Sequence, residues 1–338
     1  MSRHAGYWAA ARHVALRDQT PRVRLEITGP DRAKFLHNLT TNEVKRLPAG
    51  RGCEAFVTSP QGKILAFVNL LIREDAIIVS ADPAGLTAAL PHFQKYGVFD
   101  EIGIEDRGGT TFELHVSGPH SEELIRRCGG PVPEPSSLSH AAGSLADCPV
   151  LVWRDSPTGR PGLTVIGPRA SAGKVAGLLE AQGRDLGLER AGDEDFEALR
   201  IEAGTPVFGL DLTEKNLPQE AGRDETAINF VKGCYLGQET VARIDALGHV
   251  NQVLKGLRFP NGETPPAPGT AIDEGGRRVG VVTSSAFSPG WDAPIALAMI
   301  RTSHASVGNT LVIGENEATG RNEVVATVTD LPMLPPTQ

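Results

Sequence analysis

The chain has 338 residues, 40% of them hydrophobic and 5% aromatic, with a net charge of −8. That length allows two or three domains with ample cores, and the acidic balance argues against an extended nucleic-acid-binding face. Cys53, Cys128, Cys148 and Cys234 show no CxxC spacing and no zinc-type His/Cys pairing, so no self-contained metal site is expected and a reducing compartment fits. No apolar run approaches the roughly 20 residues of a membrane span. The N-terminal MSRHAGYWAAARHVALRD lacks the uninterrupted apolar core of a secretory signal. A cytoplasmic monomer without membrane or direct nucleic-acid contact is expected.

An internal repeat organises the first half. Leu25–Thr28 reads as an alternating strand, broken at Gly29-Pro30 and followed by a helix from Asp31. Leu114–Ser117 is broken at Gly118-Pro119 in the same way, and a helix follows from His120. Proline suits the first helical turn after each corner. Ser59-Pro60-Gln61-Gly62 joins the apolar stretches 53–58 and 64–72, and Ser156-Pro157-Thr158-Gly159 joins 148–153 and 162–166. Both read as hairpin turns, with a second helix after each, at about 83–95 and 170–182. The order strand–helix–strand–strand–helix therefore occurs twice. It predicts two ferredoxin-like α+β units, at 1–110 and 111–190.

A segment at 191–250 comes next. Asp193–Ala203 reads as a helix, with Asp193 as N-cap, acids in the first turn, and Gly204 with Pro206 ending it. From Val250 helical periodicity vanishes. Short strands at 253–259, 278–282, 295–300 and 324–328, separated by Gly, Pro and Asn turns, predict a small β-barrel or sandwich at 251–338.

The run KGCYLGQETVAR, Lys232–Arg243, is the part least explained by structure alone. Cys234 lies between Gly233 and Tyr235, just ahead of Gly237 and a helix opening at Gln238 and Glu239. A thiol near a helix N-terminus and beside Lys232 is placed to ionise, and two glycines let the backbone approach a partner closely. The competing reading is a buried cysteine acting as a small hydrophobe. The polar and glycine-rich surroundings favour a functional thiol.

KGCYLGQE resembles the signature of the YgfZ-type folate-binding proteins, relatives of the aminomethyltransferase (T-protein) of the glycine cleavage system. That family includes mitochondrial iron–sulfur assembly factors. The resemblance continues through GPDRAKFLHNLTTNEVKRLPAG (29–50), TSPQGK (58–63), RIEAGTPVFGLD (200–211) and VGVVTSS (279–285), and is weakest from about 130 to 180. It implies tetrahydrofolate as ligand, and support of iron–sulfur assembly or repair, including enzymes that thiolate tRNA. Iron–sulfur assembly or client proteins would be the partners.

By the same resemblance Glu202 would hold the pterin. A carboxylate accepts the paired N–H groups of a guanine-like edge, whereas the competing reading is a solvated glutamate at a helix end. Arg243 and Arg200 would pair with the folate's carboxylate tail, although a structural ion pair is the stronger reading for Arg200. Asp211 and Glu220 are explained equally well as a turn cap and a surface acid. The remaining histidines suggest no triad with Cys234.

The aminomethyltransferases carry a catalytic aspartate a few residues after a strand end like Val79-Ser80-Ala81. By spacing that position falls at Thr87, with Asp82 too early, and threonine cannot relay a proton at neutral pH. A folate site without the acid–base machinery is therefore expected. Two alternatives stay open: a folate-dependent aminomethyl or one-carbon transferase, and a folate-regulated binding module in which Cys234 is structural.

Overall fold

Gly29 and Gly118 take φ of 98° and 123°. A Cβ at Gly29 would lie 2.1 Å from the Glu101 carbonyl oxygen, and one at Gly118 would lie 2.6 Å from that of His13. Only glycine fits either corner, so each strand breaks there and turns into a helix. The computed structural model describes residues 3–274, 276–314 and 324–336.

The chain opens with α1 (Ala5–Arg12) and β1 (Val14–Asp18). The first unit runs β2 (Val23–Thr28), α2 (Arg32–Leu39), β3 (Arg51–Thr58), β4 (Ile64–Ile72), β5 (Ala76–Ala81), α3 (Pro83–Tyr96) and β6 (Gly103–Asp106). The second repeats that order as β7 (Thr111–Ser117), α4 (Ser121–Arg127), β8 (His140–Leu145), β9 (Cys148–Arg154), β10 (Gly162–Pro168), α5 (Ala172–Gly183) and β11 (Leu188–Arg190). The first sheet is ordered β3-β4-β5-β2-β6, and the second β8-β9-β10-β7-β1-β11. The second is thus the first with one strand inserted.

Two expectations change here. Each unit has three strands instead of two between its helices, so the two Ser-Pro-x-Gly turns are not equivalent: one joins β3 to β4, the other β9 to β10. The first-unit counterpart of the β9–β10 turn is the link at 73–75. Residues 14–18, expected in the first unit, belong to the second sheet. There β1 pairs antiparallel with β7 and parallel with β11, and Val14 and Leu16 enter the core of that unit.

Helices α2 and α3 cover one face of the first sheet over Leu25, Ile27, Phe35, Leu36 and Phe93. Helices α4 and α5 cover the second over Leu114, Val116, Leu124, Val175 and Leu179. The uncovered faces meet each other, Leu71 and Ile78 against Leu138, Leu151, Trp153 and Ile166. Alternation along β4 makes this possible, sending Leu70 to the helices and Leu71 to the opposite sheet.

Next come α6 (Asp193–Ala203), α7 (Asp224–Ala227) and α8 (Gln238–Leu247), and then a closed barrel. Its strands are β12 (Gln252–Arg258), β13 (Ala271–Glu274), β14 (Arg277–Ser288), β15 (Ala293–Arg301), β16 (Thr310–Ile313) and β17 (Val324–Thr329). They close in the order β12-β15-β14-β13-β16-β17. Strand β15 is buried on both faces: Ala296, Ala298 and Ile300 fill the barrel, while Ile295, Leu297 and Met299 pack with Ile201 of α6. Among the described residues no helix is long and apolar enough to cross a membrane.

Candidate functional site

Where the two sheets diverge they leave a cavity of about 320 Å³, lined among others by Arg22, Glu54, Phe67, Asn69, Asp82, Asp155 and Arg223. Asp82 follows the last residue of β5 and precedes Pro83 of α3, yet its side chain does not cap that helix. It accepts a 2.8 Å bond from Arg22 Nη1 instead. Arg22 Nε also lies 3.4 Å from Glu113 Oε1, and Arg24 Nη1 donates to Glu113 Oε2 at 2.9 Å. Burial raises the Glu113 carboxyl above its ordinary range despite both arginines, and burial likewise raises Asp155.

On the opposite wall Arg223 pairs with both oxygens of Glu54, at 2.6 and 2.7 Å from Nη2, and Thr226 Oγ1 adds a 2.8 Å bond. A shallower recess of about 170 Å³ adjoins the cavity across the Arg22–Asp82 pair. There the Arg17 guanidinium lies 5.2 Å from the centroid of the Phe196 ring.

Thr87 does not take part. It is exposed on α3, and its hydroxyl donates to the Pro83 carbonyl at 2.8 Å. Asp82, judged too early by spacing, lines the cavity together with Glu54 and Asp155. Helix α3 begins directly after Asp82 and carries Thr87 outward.

Glu202 is neither solvated nor among the cavity-lining residues. It is 0% exposed, and its Oε1 accepts bonds from Tyr7 Oη at 2.7 Å and Ser288 Oγ at 2.5 Å. Among the described residues Oε2 has no hydrogen-bond partner, and it lies 4.0 Å from Arg160 Nη2. Burial pushes this carboxyl up to about 6. Two residues earlier on α6, the buried Arg200 donates to Asp211 at 2.9 Å and to Ser284 at 2.7 Å, and it pairs with the partly exposed Glu197. Arg243 is exposed on α8 and forms no ion pair among the described residues.

The segments TSPQGK and KGCYLGQE, far apart in sequence, are pressed together by glycines. Gly237, with φ 85°, would put a Cβ 2.4 Å from the Ser59 carbonyl oxygen and 2.8 Å from Gly62 Cα. Leu236 N–H donates to the Asn38 carbonyl at 2.8 Å, and Thr58 Oγ1 donates to the Leu236 carbonyl at 2.7 Å.

Lys232 is not a surface cation beside the thiol. It is 7% exposed, and Nζ donates to the carbonyls of His37, Thr40 and Asn42 at 2.6, 2.6 and 2.8 Å. It thereby closes the C-terminal end of α2, and burial pushes its pKa down to about 8. Nζ also lies 4.7 Å from the ring centroid of Tyr235, whose hydroxyl burial pushes up to about 12.

Gln238 Oε1 accepts the Tyr235 N–H at 3.3 Å, and Glu239 is exposed in the first turn of α8. Cys234 is exposed, whereas Cys53 and Cys128 are half-buried and Cys148 is buried. Burial pushes the Cys53 thiol up to about 12 and that of Cys128 to about 11. Asn42 connects the two regions: its carbonyl receives Lys232, and its Nδ2 donates to the carbonyls of Glu54 and Thr226, both 2.8 Å away. Sequence reasoning missed Arg22, Glu54, Asp155 and Arg223. The Asp82-Pro83 pair was a visible signal, but spacing from the strand end placed Asp82 too early.

Paired α/β sheets with a cavity at their seam, backed by a six-stranded barrel, define the class of architecture. Residues 3–231 match the GCVT N-terminal domain and residues 253–334 the glycine cleavage T-protein C-terminal barrel domain, and the chain belongs to this aminomethyltransferase-like family. It is 30% identical over 296 residues to a putative chloroplastic transferase of Arabidopsis thaliana, covering 87% of this chain and 66% of the plant protein. An aminomethyltransferase of Streptomyces avermitilis is 28% identical over 309 residues, covering 88% of this chain and 82% of that one. The crystal structure of the glycine cleavage system aminomethyltransferase T from Bartonella henselae superposes with a TM-score of 0.86 at 20% identity, over 97% of this chain and 88% of the other. That likeness establishes a common fold.

Proposed function

We propose that the protein binds tetrahydrofolate in the cavity between its two sheets, and supports iron–sulfur enzymes through the exposed thiol of Cys234. The observation that carries the first half is the cavity itself, with Asp82 and Asp155 flanking Arg22. Its 320 Å³ lies at the lower end of the roughly 300–1,000 Å³ of small-molecule sites, suited to a pterin bicycle with the tail outside. The two carboxylates supply acceptors for the paired N–H groups of a pterin edge, and Phe67 and Leu138 supply apolar wall. The adjoining recess, with Arg17 over Phe196, suits the aromatic ring and carboxylate of the tail. When bound, the folate would supply a carrier for one-carbon units. Asp82 and Asp155 would orient it, Arg22 would keep Asp82 in place, and the Ser156 N–H would hold Asp155.

The second half draws support from Cys234 being the exposed thiol of the four, within a turn fastened to α2 and to the β3–β4 hairpin.

Calorimetry with tetrahydrofolate tests the site. Asp82→Asn and Asp155→Asn should each weaken binding at least about tenfold, while Glu202→Gln should leave it within about twofold. No heat with the unaltered protein would end the folate reading. Loss of binding in Glu202→Gln alone would move the ligand out of this cavity. For the thiol, Cys234→Ala should fail to restore iron–sulfur enzyme activity in cells that depend on this protein. Full complementation by a stable Cys234→Ala protein would remove the thiol from the function.

Asp82 in the cavity wall favours one further reading, a folate-dependent aminomethyl transferase. Turnover with glycine-cleavage partner proteins, lost in Asp82→Asn, would establish it. Activity no higher than background would leave the binding reading in place.

A further inference from the structure

Nothing in the spacing of the histidines places one near Cys234, but the fold does. His37 sits in the last turn of α2 and is 8% exposed. Its Nδ1 lies 3.1 Å from Glu43 Oε1, and the Val44 N–H approaches the same nitrogen from 3.5 Å. The shorter contact is to a charged acceptor, so it holds the ring proton on Nδ1 and leaves a lone pair on Nε2. Nε2 has no hydrogen-bond partner among the described residues. It faces the thiol-bearing turn: a Cβ built on Gly233 would lie 3.5 Å from it. The turn is fixed there from both sides, by Lys232 on the His37 carbonyl at 2.6 Å and by Leu236 N–H on the Asn38 carbonyl at 2.8 Å. Cys234 thus follows directly after a glycine whose missing side chain would point at Nε2, between two anchors to the same helix end.

We infer that His37, oriented by Glu43, is the general base for Cys234; this rests on the reading of Cys234 as the working thiol. The order of groups is that of an activated nucleophile, with the base held by a third residue. The side chain of Cys234 turns towards the ring, its S–H bond breaks, and the proton passes to Nε2. The sulfur electron pair then forms a bond to a soft electrophile, whose leaving group departs with the electrons of the bond it loses. With iodoacetamide that bond is S–C and the leaving group is iodide. Glu43 favours the protonated ring, Lys232 and Lys45 oppose it, and burial opposes it most, so His37 is neutral and able to accept a proton near pH 7. Gly233 is the opening between them, since any larger residue would set a methyl group against Nε2.

The test is the pH profile of iodoacetamide labelling of the full-length protein, read at each cysteine by peptide mass. Cys53 and Cys128, whose thiols burial holds protonated, serve as slow references. His37→Gln should slow labelling of Cys234 at pH 7 at least about fivefold, and remove the part of its pH profile that follows the histidine. Gly233→Ala should do the same, and Glu43→Gln should fall between. A His37→Gln protein with unchanged melting temperature and an unchanged Cys234 profile would overturn the assignment. Should that variant fail to fold, unchanged profiles in both Gly233→Ala and Glu43→Gln would overturn it equally. Full complementation by Cys234→Ala would remove the thiol from the cellular role, and the labelling profiles would still decide whether His37 activates it.

Discussion

Glu202→Gln isolates the cost of one buried charge. The carboxyl is fully enclosed and ionises at about 6 instead of the usual 4.5, so between those values the folded chain keeps a proton that the unfolded chain has lost. Below pH 4.5 both states are protonated and no cost arises. Above pH 6 both are ionised, and the folded state is less stable by about 2 kcal/mol than it would be with an unperturbed group. Glutamine cannot ionise, yet its amide oxygen can still accept the Tyr7 and Ser288 hydroxyls. The stability of the variant relative to the parent should therefore rise by about 2 kcal/mol between pH 4.5 and pH 7. Urea unfolding followed by tryptophan fluorescence at several pH values measures this, and every other titrating group cancels in the difference. Curves for the two proteins that stay parallel within about 0.5 kcal/mol would refute the reasoning.

Lys232→Met should lower stability by about 3 kcal/mol, because three carbonyls lose their donor, partly offset by the relief of a buried charge. For a chain of this length that is a fall on the order of 4 °C in Tm, and an unchanged melting curve would contradict the role given to the lysine. Gly237→Ala should cost at least about 2 kcal/mol, since its φ is 85° and its Cβ would meet backbone at 2.4 Å. A Tm within about 1 °C of the parent would mean that the turn can shift away from Ser59.

What the sequence reveals follows from how local the cause is. The Gly-Pro corners were legible because a positive φ at Gly29 and Gly118 is a property of one residue and its immediate chain. The barrel was legible too, through short strands and turn residues. The matching of the two Ser-Pro-x-Gly turns was not, since a turn says that two strands are joined and nothing about which two. Site residues divide the same way. Cys234 stood out through its neighbours, and its thiol is exposed. Lys232 carried no sign that it would be buried, because its three acceptors belong to a helix end almost 200 residues earlier. Glu202 and Arg200 are two positions apart on one helix, and only the packing of α6 between α1 and the barrel decides what each meets.

The position of β1 has a bearing on the order in which the molecule can be assembled. It leaves the start of the chain, yet its neighbours β7 and β11 lie at Thr111–Ser117 and Leu188–Arg190. During synthesis Val14 and Leu16 have no strand to pair with until β7 emerges at the start of the second repeat, and the pairing on their other side waits for β11, although the first repeat can already close its own hydrogen bonds. The pairing of β1 with β11 spans nearly 180 residues, a loop closure that favours late, slow docking over early nucleation. Nascent chains halted before residue 111 would therefore leave an apolar N-terminal strand in need of shielding. A gene cut between the repeats would strand β1 on the fragment that does not contain its sheet.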